Sequence, residues 1–333
     1  MHEARPVGLE GRVTVDLLPQ SDPALALDEI RAGLLRRPPE TNPKYFYDDR
    51  GSELFEAICR LPEYYPTRTE RAMLAAIADG VAARTGASEI VELGSGSATK
   101  TRLLLSAVAR RGRLRSFVPF DCSAGAIRQL ATDLVDEYPD LRVHALVGDF
   151  VDQLDCLPEA EMPRLVVFLG GTLGNFRPPE AHAFLSALAA RMAPGEHFLL
   201  GTDLVKDVAR LEAAYNDSAG VTAEFNLNVL RVLNRSLGAD FLPEEFAHRA
   251  FYDRDQNWIE MRLVSRRDQI VRLPAIDLEL RFARGDEMRT EISAKFDRSR
   301  VRAMLESCGF ELLEWHTDPE NLFALSVSRR RRS

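Results

Sequence analysis

Glu92-Leu93-Gly94-Ser95-Gly96-Ser97-Ala98-Thr99-Lys100 decides how this chain is read. Glu89-Ile90-Val91 leads into it and Arg102-Leu103-Leu104-Leu105-Ser106-Ala107-Val108 follows, so the pattern predicts a strand, a glycine turn and a helix. In an open α/β sheet that succession forms a nucleotide pocket. Glycines let the backbone approach a ligand, and the first helical turn offers unpaired N–H groups. Two marks of a dinucleotide fingerprint are missing. The third glycine would fall at Thr99, and the next acid closing a strand is Asp121, later than the usual spacing of about 20 residues.

Outward from this stretch, residues 69–204 alternate helix and strand. Helices are expected at 69–84, 100–110, 124–137 and 179–192, and strands at 88–94, 115–121, 142–147, 165–169 and 197–203. Continuous apolar strands in such alternation indicate a parallel sheet covered on both faces. Before it lie a helical candidate at 24–35, the aromatic cluster Lys44-Tyr45-Phe46-Tyr47-Asp48, and a helix from Ser52 to Arg60 with Ser52 as its N-cap. After it, helices at 205–214 and 219–237 precede strands of period two. In Trp258-Ile259-Glu260-Met261-Arg262-Leu263, Ile259, Met261 and Leu263 share a face, which suggests antiparallel strands with one wet side. A helix at 298–308 and strands at 311–313 and 321–328 complete the first sheet.

The chain has 333 residues, 45% hydrophobic and 28% charged, enough for one large or two ordinary domains. A net charge of -8 argues against a nucleic-acid partner, which needs a basic surface. Cys59, Cys122, Cys156 and Cys308 lack C-x-x-C spacing and the six histidines are dispersed, so no metal site is expected. No apolar run is long enough to span a bilayer. The expectation is a cytoplasmic monomer without metal, acting on a small molecule. Lysine is rare, occurring only at 44, 100, 206 and 295.

The acids suit S-adenosylmethionine better than a dinucleotide. Glu92 stands on the glycine turn that Gly94 and Gly96 shape. Asp121 ends the second strand, where a carboxylate can accept from both ribose hydroxyls, and Asp149 follows the third, within reach of an adenine amine. Lys100 is placed to pair with the methionine carboxylate, unless it is a solvated helix-surface lysine. After the fourth strand, glycines at 170, 171 and 174 present Asn175 on a close loop, where its carbonyl can accept from an amine. A turn asparagine satisfying its own backbone is the plainer alternative.

From Lys44 to Ser328 the chain resembles the histidine-specific Nα-methyltransferases of ergothioneine biosynthesis. The carriers are Tyr45-Phe46-Tyr47-Asp48 with Gly51-Ser52-Glu53-Leu54-Phe55, Leu61-Pro62-Glu63-Tyr64-Tyr65-Pro66-Thr67-Arg68-Thr69-Glu70, the glycine turn, Phe168-Leu169-Gly170, Gly201-Thr202-Asp203-Leu204-Val205-Lys206-Asp207, Ile259-Glu260-Met261 and Thr290-Glu291-Ile292-Ser293. The resemblance implies a Rossmann-like class I methyltransferase sheet (67–204 with 296–333) and a smaller α+β substrate-binding domain (1–66 with 205–295). It implies transfer of three methyl groups from S-adenosylmethionine to the α-amine of L-histidine, giving hercynine. Tyr47, Asn175 and Tyr215 would hold the amine and carboxylate, Glu291 and Ser293 the imidazole, and Met261 would line its pocket. Phe55, Tyr64 and Gly170 match further pocket positions. Gly171, where serine is expected, and Ala98 depart from the pattern.

Two residues apart on an extended segment, Glu291 and Ser293 point to one side. Tyr47 and Asn175 are expected to orient the nitrogen without a strong general base, and the aromatic cluster to tolerate a growing cation. The nearest alternative is a related N-methyltransferase for tyrosine, tryptophan or a partly methylated histidine. A silent S-adenosylmethionine-binding regulator and a nicotinamide oxidoreductase stand further off.

Overall fold

A computed structural model describes residues 11–19, 23–96 and 98–332; Ser97 of the glycine turn lies outside the described residues, as do residues 1–10. The helices are α1 (Pro23–Leu34), α2 (Asp49–Arg60), α3 (Tyr65–Thr85), α4 (Arg102–Arg110), α5 (Ala124–Glu137), α6 (Pro178–Arg191), α7 (Val208–Ala213), α8 (Val221–Leu237) and α9 (Arg298–Ser307). The strands are β1 (Val13–Leu17), β2 (Glu89–Leu93), β3 (Ser116–Asp121), β4 (Arg142–Val147), β5 (Arg164–Phe168), β6 (His197–Asp203), β7 (Phe246–Asp253), β8 (Trp258–Ser265), β9 (Gln269–Leu273), β10 (Leu278–Phe282), β11 (Glu287–Ala294), β12 (Phe310–Thr317) and β13 (Phe323–Arg330). Among the described residues no helix is long and apolar enough to cross a membrane.

Eight strands form one sheet in the order β1-β4-β3-β2-β5-β6-β13-β12, parallel except at β13 and β12. The order reverses between β2 and β5, so the carboxyl ends of β2, β3, β4 and β5 open onto one crevice, where an α/β sheet binds its ligand. This is the Rossmann-like class I methyltransferase sheet expected from the sequence. All five positions of β2 are buried, and so are all five of β5, because helices cover both faces. Two apolar clusters fill those faces, one built on Leu104, Phe117 and Leu325, the other on Phe120, Phe184 and Phe310.

A separate antiparallel sheet, β11-β8-β7, and the β9-β10 hairpin lie with α7 and α8. Their core draws in the N-terminal segment, since Ile30, Phe46, Leu54, Ile58, Tyr64 and Tyr65 pack in one cluster with Phe225, Val229 and Met261. One side of β8 is not wet, as the alternation suggested. Ile259, Met261 and Leu263 join that cluster, while Trp258, with Ile292 and Ala294 of β11, packs into the core of the large sheet. Glu260 is buried on that second face because Arg262 (2.7 Å), Arg289 (3.0 Å) and the Trp258 indole (3.0 Å) satisfy its carboxylate.

Three local readings are corrected. Helix α2 starts at Asp49, capped by Asp48, whose side chain accepts from Gly51 N at 2.7 Å; Ser52 is not the cap. Helix α3 begins at Tyr65 because Pro66, in the first turn, needs no hydrogen bond there. The polar N-terminal region also contributes β1, parallel to β4 at the edge of the large sheet.

Candidate active site

The glycine turn is wired to the next strand. Gly94 N donates to the Phe120 carbonyl at 2.8 Å, Gly96 N to Asp121 Oδ2 at 2.9 Å, and Ser123 N to Asp121 Oδ1 at 3.0 Å. Gly94 (φ 71°) and Gly96 (φ 47°) need the left-handed region, and a Cβ added at Gly96 would meet nothing within 4 Å, so this part of the turn faces open space. Ala98 adopts φ 48° without a glycine's freedom. Glu92 is buried, its Oε1 accepting from Thr101, and burial pushes its carboxyl up to about 8. Half-buried acids beside a bare turn fit a cationic nucleoside with vicinal hydroxyls.

Lys100 pairs with Glu70, a fully buried carboxylate that also accepts from Gly170 N at 2.9 and 3.0 Å. The glycine turn and the loop after β5 are therefore joined through one side chain. Glu70 received no role from the sequence; it closes the Leu61–Glu70 segment quoted above, which was the available signal. Asp149 accepts from Val151 N at 2.9 Å and lies 3.6 Å from Lys44, which also pairs with Glu29 of α1 at 2.8 Å.

The acceptor side is aromatic. Tyr47 stands edge-on to Phe55 at 5.6 Å and to Phe225 at 5.9 Å; Phe55 meets Tyr64 at 6.3 Å, and Tyr64 meets Tyr215 at 6.3 Å. Tyr47 exposes 38% of its surface, yet burial pushes its phenol well above the ordinary value, as on the wall of a recess. The Glu291 carboxylate adds to the upward shift of Tyr47, Tyr64 and Tyr215, and the Asp121 carboxylate to that of Tyr47.

A register shift between Arg289 and Glu291 in β11 explains how Glu291 reaches this wall. Arg289 pairs with Arg262, whereas Glu291 pairs with Met261 and Ser293 with Ile259. The extra residue, Thr290, turns Glu291 and Ser293 to the face of Met261 and Arg289 to the opposite one. Thr290 is held by hydrogen bonds to Asn226 Oδ1 at 2.6 Å and to the Met261 carbonyl at 3.0 Å. Glu291 is 9% exposed, and burial pushes its carboxyl up to about 7 against the pull of Lys295.

Asn175 ends the short helical turn Thr172–Asn175, which packs on β11. A Cβ on Gly174 would sit 2.9 Å from the Ala294 carbonyl, so only glycine lets the loop approach there. Among the described residues no hydrogen bond engages the Asn175 side chain. Gly171, the other departure from the family pattern, has φ 68°, where glycine costs nothing.

Behind the wall runs a buried network. Tyr215 OH donates to Ser293 Oγ at 2.8 Å; Lys295 Nζ donates to Ser293 Oγ at 2.8 Å, Tyr215 OH at 3.2 Å and Asp203 Oδ2 at 2.9 Å. Asp203 also accepts from Tyr65 OH at 2.9 Å and from Lys206. Both lysines hold the Asp203 carboxyl below its usual range despite burial, while burial lowers Lys206 to about 8. Asp203, Lys295 and Tyr65 received no role from the sequence, although Tyr65 and Asp203 lie in the quoted Leu61–Glu70 and Gly201–Asp207 segments. Two surface cavities of about 330 and 370 Å³, one beside His182 and Met304 and one beside Met162 and Glu196, touch none of these side chains.

Comparison with known proteins agrees with this geometry. The model of the family described as "Histidine-specific methyltransferase, SAM-dependent" matches residues 26–330. The chain is 49% identical over 302 residues to a histidine N-alpha-methyltransferase of Mycolicibacterium smegmatis, covering 91% of this chain and 94% of that protein. It is 47% identical to the protein of the same name from Mycobacterium tuberculosis, with the same coverage. Over 85% of this chain, but 32% of the relative, it is 31% identical to ergothioneine biosynthesis protein 1 of Neurospora crassa.

Proposed function

The chain belongs to the SAM-dependent histidine-specific methyltransferases, and from that premise we propose that it transfers three methyl groups from S-adenosylmethionine to the α-amine of L-histidine, giving hercynine for ergothioneine biosynthesis. The observation that carries this reading is the face of β11 on which Glu291 and Ser293 stand with Met261, tied to the aromatic wall by the Tyr215–Ser293 hydrogen bond at 2.8 Å. When bound, the cofactor supplies a sulfonium methyl with a neutral thioether as leaving group.

The chain's own part is positioning. Glu291 and Ser293 hold the imidazole, and Tyr215, Tyr47 and Asn175 the carboxylate and amine. Met261, Phe55, Tyr64 and Gly170 close the space around them. Fixing the amine in line with the methyl lowers the barrier by about 7–11 kcal/mol. A reference α-amine titrates near about 7.7–8.0, so a neutral fraction exists at physiological pH and orientation by Tyr47 and Asn175 suffices. The rings of Tyr47, Phe55 and Phe225 offer π-faces to the cation as methyls accumulate. Glu92, Gly94, Gly96, Asp121 and Asp149 hold the cofactor, with Lys100 reaching its carboxylate by exchanging partners with Glu70.

In this reading, residues 67–204 with 296–333 and strand β1 serve the cofactor, and the rest of residues 1–66 with 205–295 serve the amino acid. The substrates are those of cytoplasmic metabolism, and the proposed acceptor is a small molecule. The test is mass spectrometry after incubation with S-adenosylmethionine and a panel of L-histidine, tyrosine and tryptophan. A gain of three methyls on histidine alone is expected. Methylation of tyrosine or tryptophan instead would overturn the imidazole assignment.

A further inference from the structure

Lys295 is 0% exposed and is spent entirely inside the protein. An ammonium has three N–H donors. Here they meet three acceptors, Asp203 Oδ2 at 2.9 Å, Ser293 Oγ at 2.8 Å and Tyr215 OH at 3.2 Å. The phenol of Tyr215 in turn donates to Ser293 Oγ at 2.8 Å. Because a hydroxyl oxygen has two lone pairs, Ser293 accepts from Lys295 and from Tyr215 and has no acceptor capacity left. Its own proton is the one group it can still offer, on the face it shares with Glu291.

We propose that Lys295 is a positioning residue that fixes Ser293 as a hydrogen-bond donor and so makes the pocket select a neutral imidazole in a single tautomer. This rests on the histidine reading above. The ring's N–H is given to the Glu291 carboxylate, and its bare nitrogen accepts from Ser293. An imidazolium carries an N–H on both nitrogens and would meet the Ser293 proton head-on. The charge works in the same direction, since the Lys295 ammonium stands directly behind Ser293.

The groups facing Ser293 are therefore Glu291 on its own strand, Lys295 just after that strand, Tyr215 after α7, and, one bond further, Asp203, Lys206 and Tyr65. Tyr47 and Asn175, proposed to orient the amine, are not among them. Loss of Lys295 should accordingly disturb recognition of the ring more than transfer of the methyl.

The test uses the whole chain with S-adenosylhomocysteine and L-histidine labelled with ¹⁵N in the ring. Wild-type protein should show one N–H nitrogen and one bare nitrogen for the bound ring, with no exchange between them across pH 6–8. Two N–H nitrogens, or a tautomer average, would overturn the proposal without recourse to any variant. Lys295→Met should raise the KM for histidine about 10- to 100-fold, the weight of a charge-assisted hydrogen bond. Its kcat and its KM for S-adenosylmethionine should stay within about threefold, and the bound ring should show mixed tautomers. An unchanged histidine KM, or an equal loss of kcat, would count against it. Failure of wild-type protein to bind or methylate histidine would instead strike the functional reading itself.

Discussion

The two halves of the proposed site are built by different means. The cofactor half is a backbone construction: a turn between β2 and α4, tied to β3 through Gly94 N and Gly96 N, with acids at consecutive strand ends. The acceptor half is a side-chain construction gathered from positions 47, 55, 64, 175, 215, 261, 291 and 293, backed by the buried ion pair of Lys295 and Asp203. A pocket made of backbone is fixed once the sheet forms. A pocket made of side chains depends on each partner's charge and on every hydrogen bond behind it.

That contrast can be broken or sharpened by substitution. The largest effect is expected at Asp203, where Asp203→Asn strands two lysines that now share a carboxylate. Loss of about 3–5 kcal/mol of stability should follow, measured by urea unfolding. A loss under about 1 kcal/mol would mean the network is not what holds the acceptor half together.

Next is Glu291→Gln, expected to stabilise the protein in the absence of histidine. Its folded carboxyl, near 7, lies above the unfolded value of 4.5, so folding favours the protonated form. The wild-type contribution is intact below pH 4.5 and lost as pH rises through 7. The variant should gain up to about 3 kcal/mol at pH 8 and almost nothing at pH 4.5. A gain independent of pH would show that the titration of Glu291 is not its source.

Asp121→Ala should weaken S-adenosylmethionine about 10- to 100-fold in equilibrium binding, since it removes the acceptor that also anchors Gly96. Unaltered binding would move the ribose contact elsewhere. The smallest change is expected from Tyr47→Phe, with turnover falling about threefold to tenfold and cofactor affinity kept. Undiminished trimethylation would remove the phenol from the mechanism.

The same contrast explains what could be read from the chain. Strands β3, β4 and β6 and helix α5 fall at the expected places because continuous apolar strands and amphipathic helices announce themselves by period. The acids of the cofactor half sit where strand order puts them. Strand β1 was missed because a short edge strand in a polar segment carries almost no periodicity. The wet face assigned to β8 was wrong because Glu260 is buried by arginines remote in sequence. Glu291 owes its direction to a bulge at Thr290 that no alternation pattern shows, and only the family resemblance singled it out. Of the four lysines, Lys100, Lys206 and Lys295 pair with buried carboxylates and Lys44 with Asp149.

Calorimetry of Glu291→Gln beside wild type, with L-histidine and with S-adenosylhomocysteine in separate titrations, tests the central claim most directly. A pocket that recognises the imidazole through Glu291 and a cofactor half that stands apart from it predict histidine binding at least about 100-fold weaker and cofactor-product binding unchanged. Histidine bound as tightly by the variant, or both ligands weakened alike, would contradict the account.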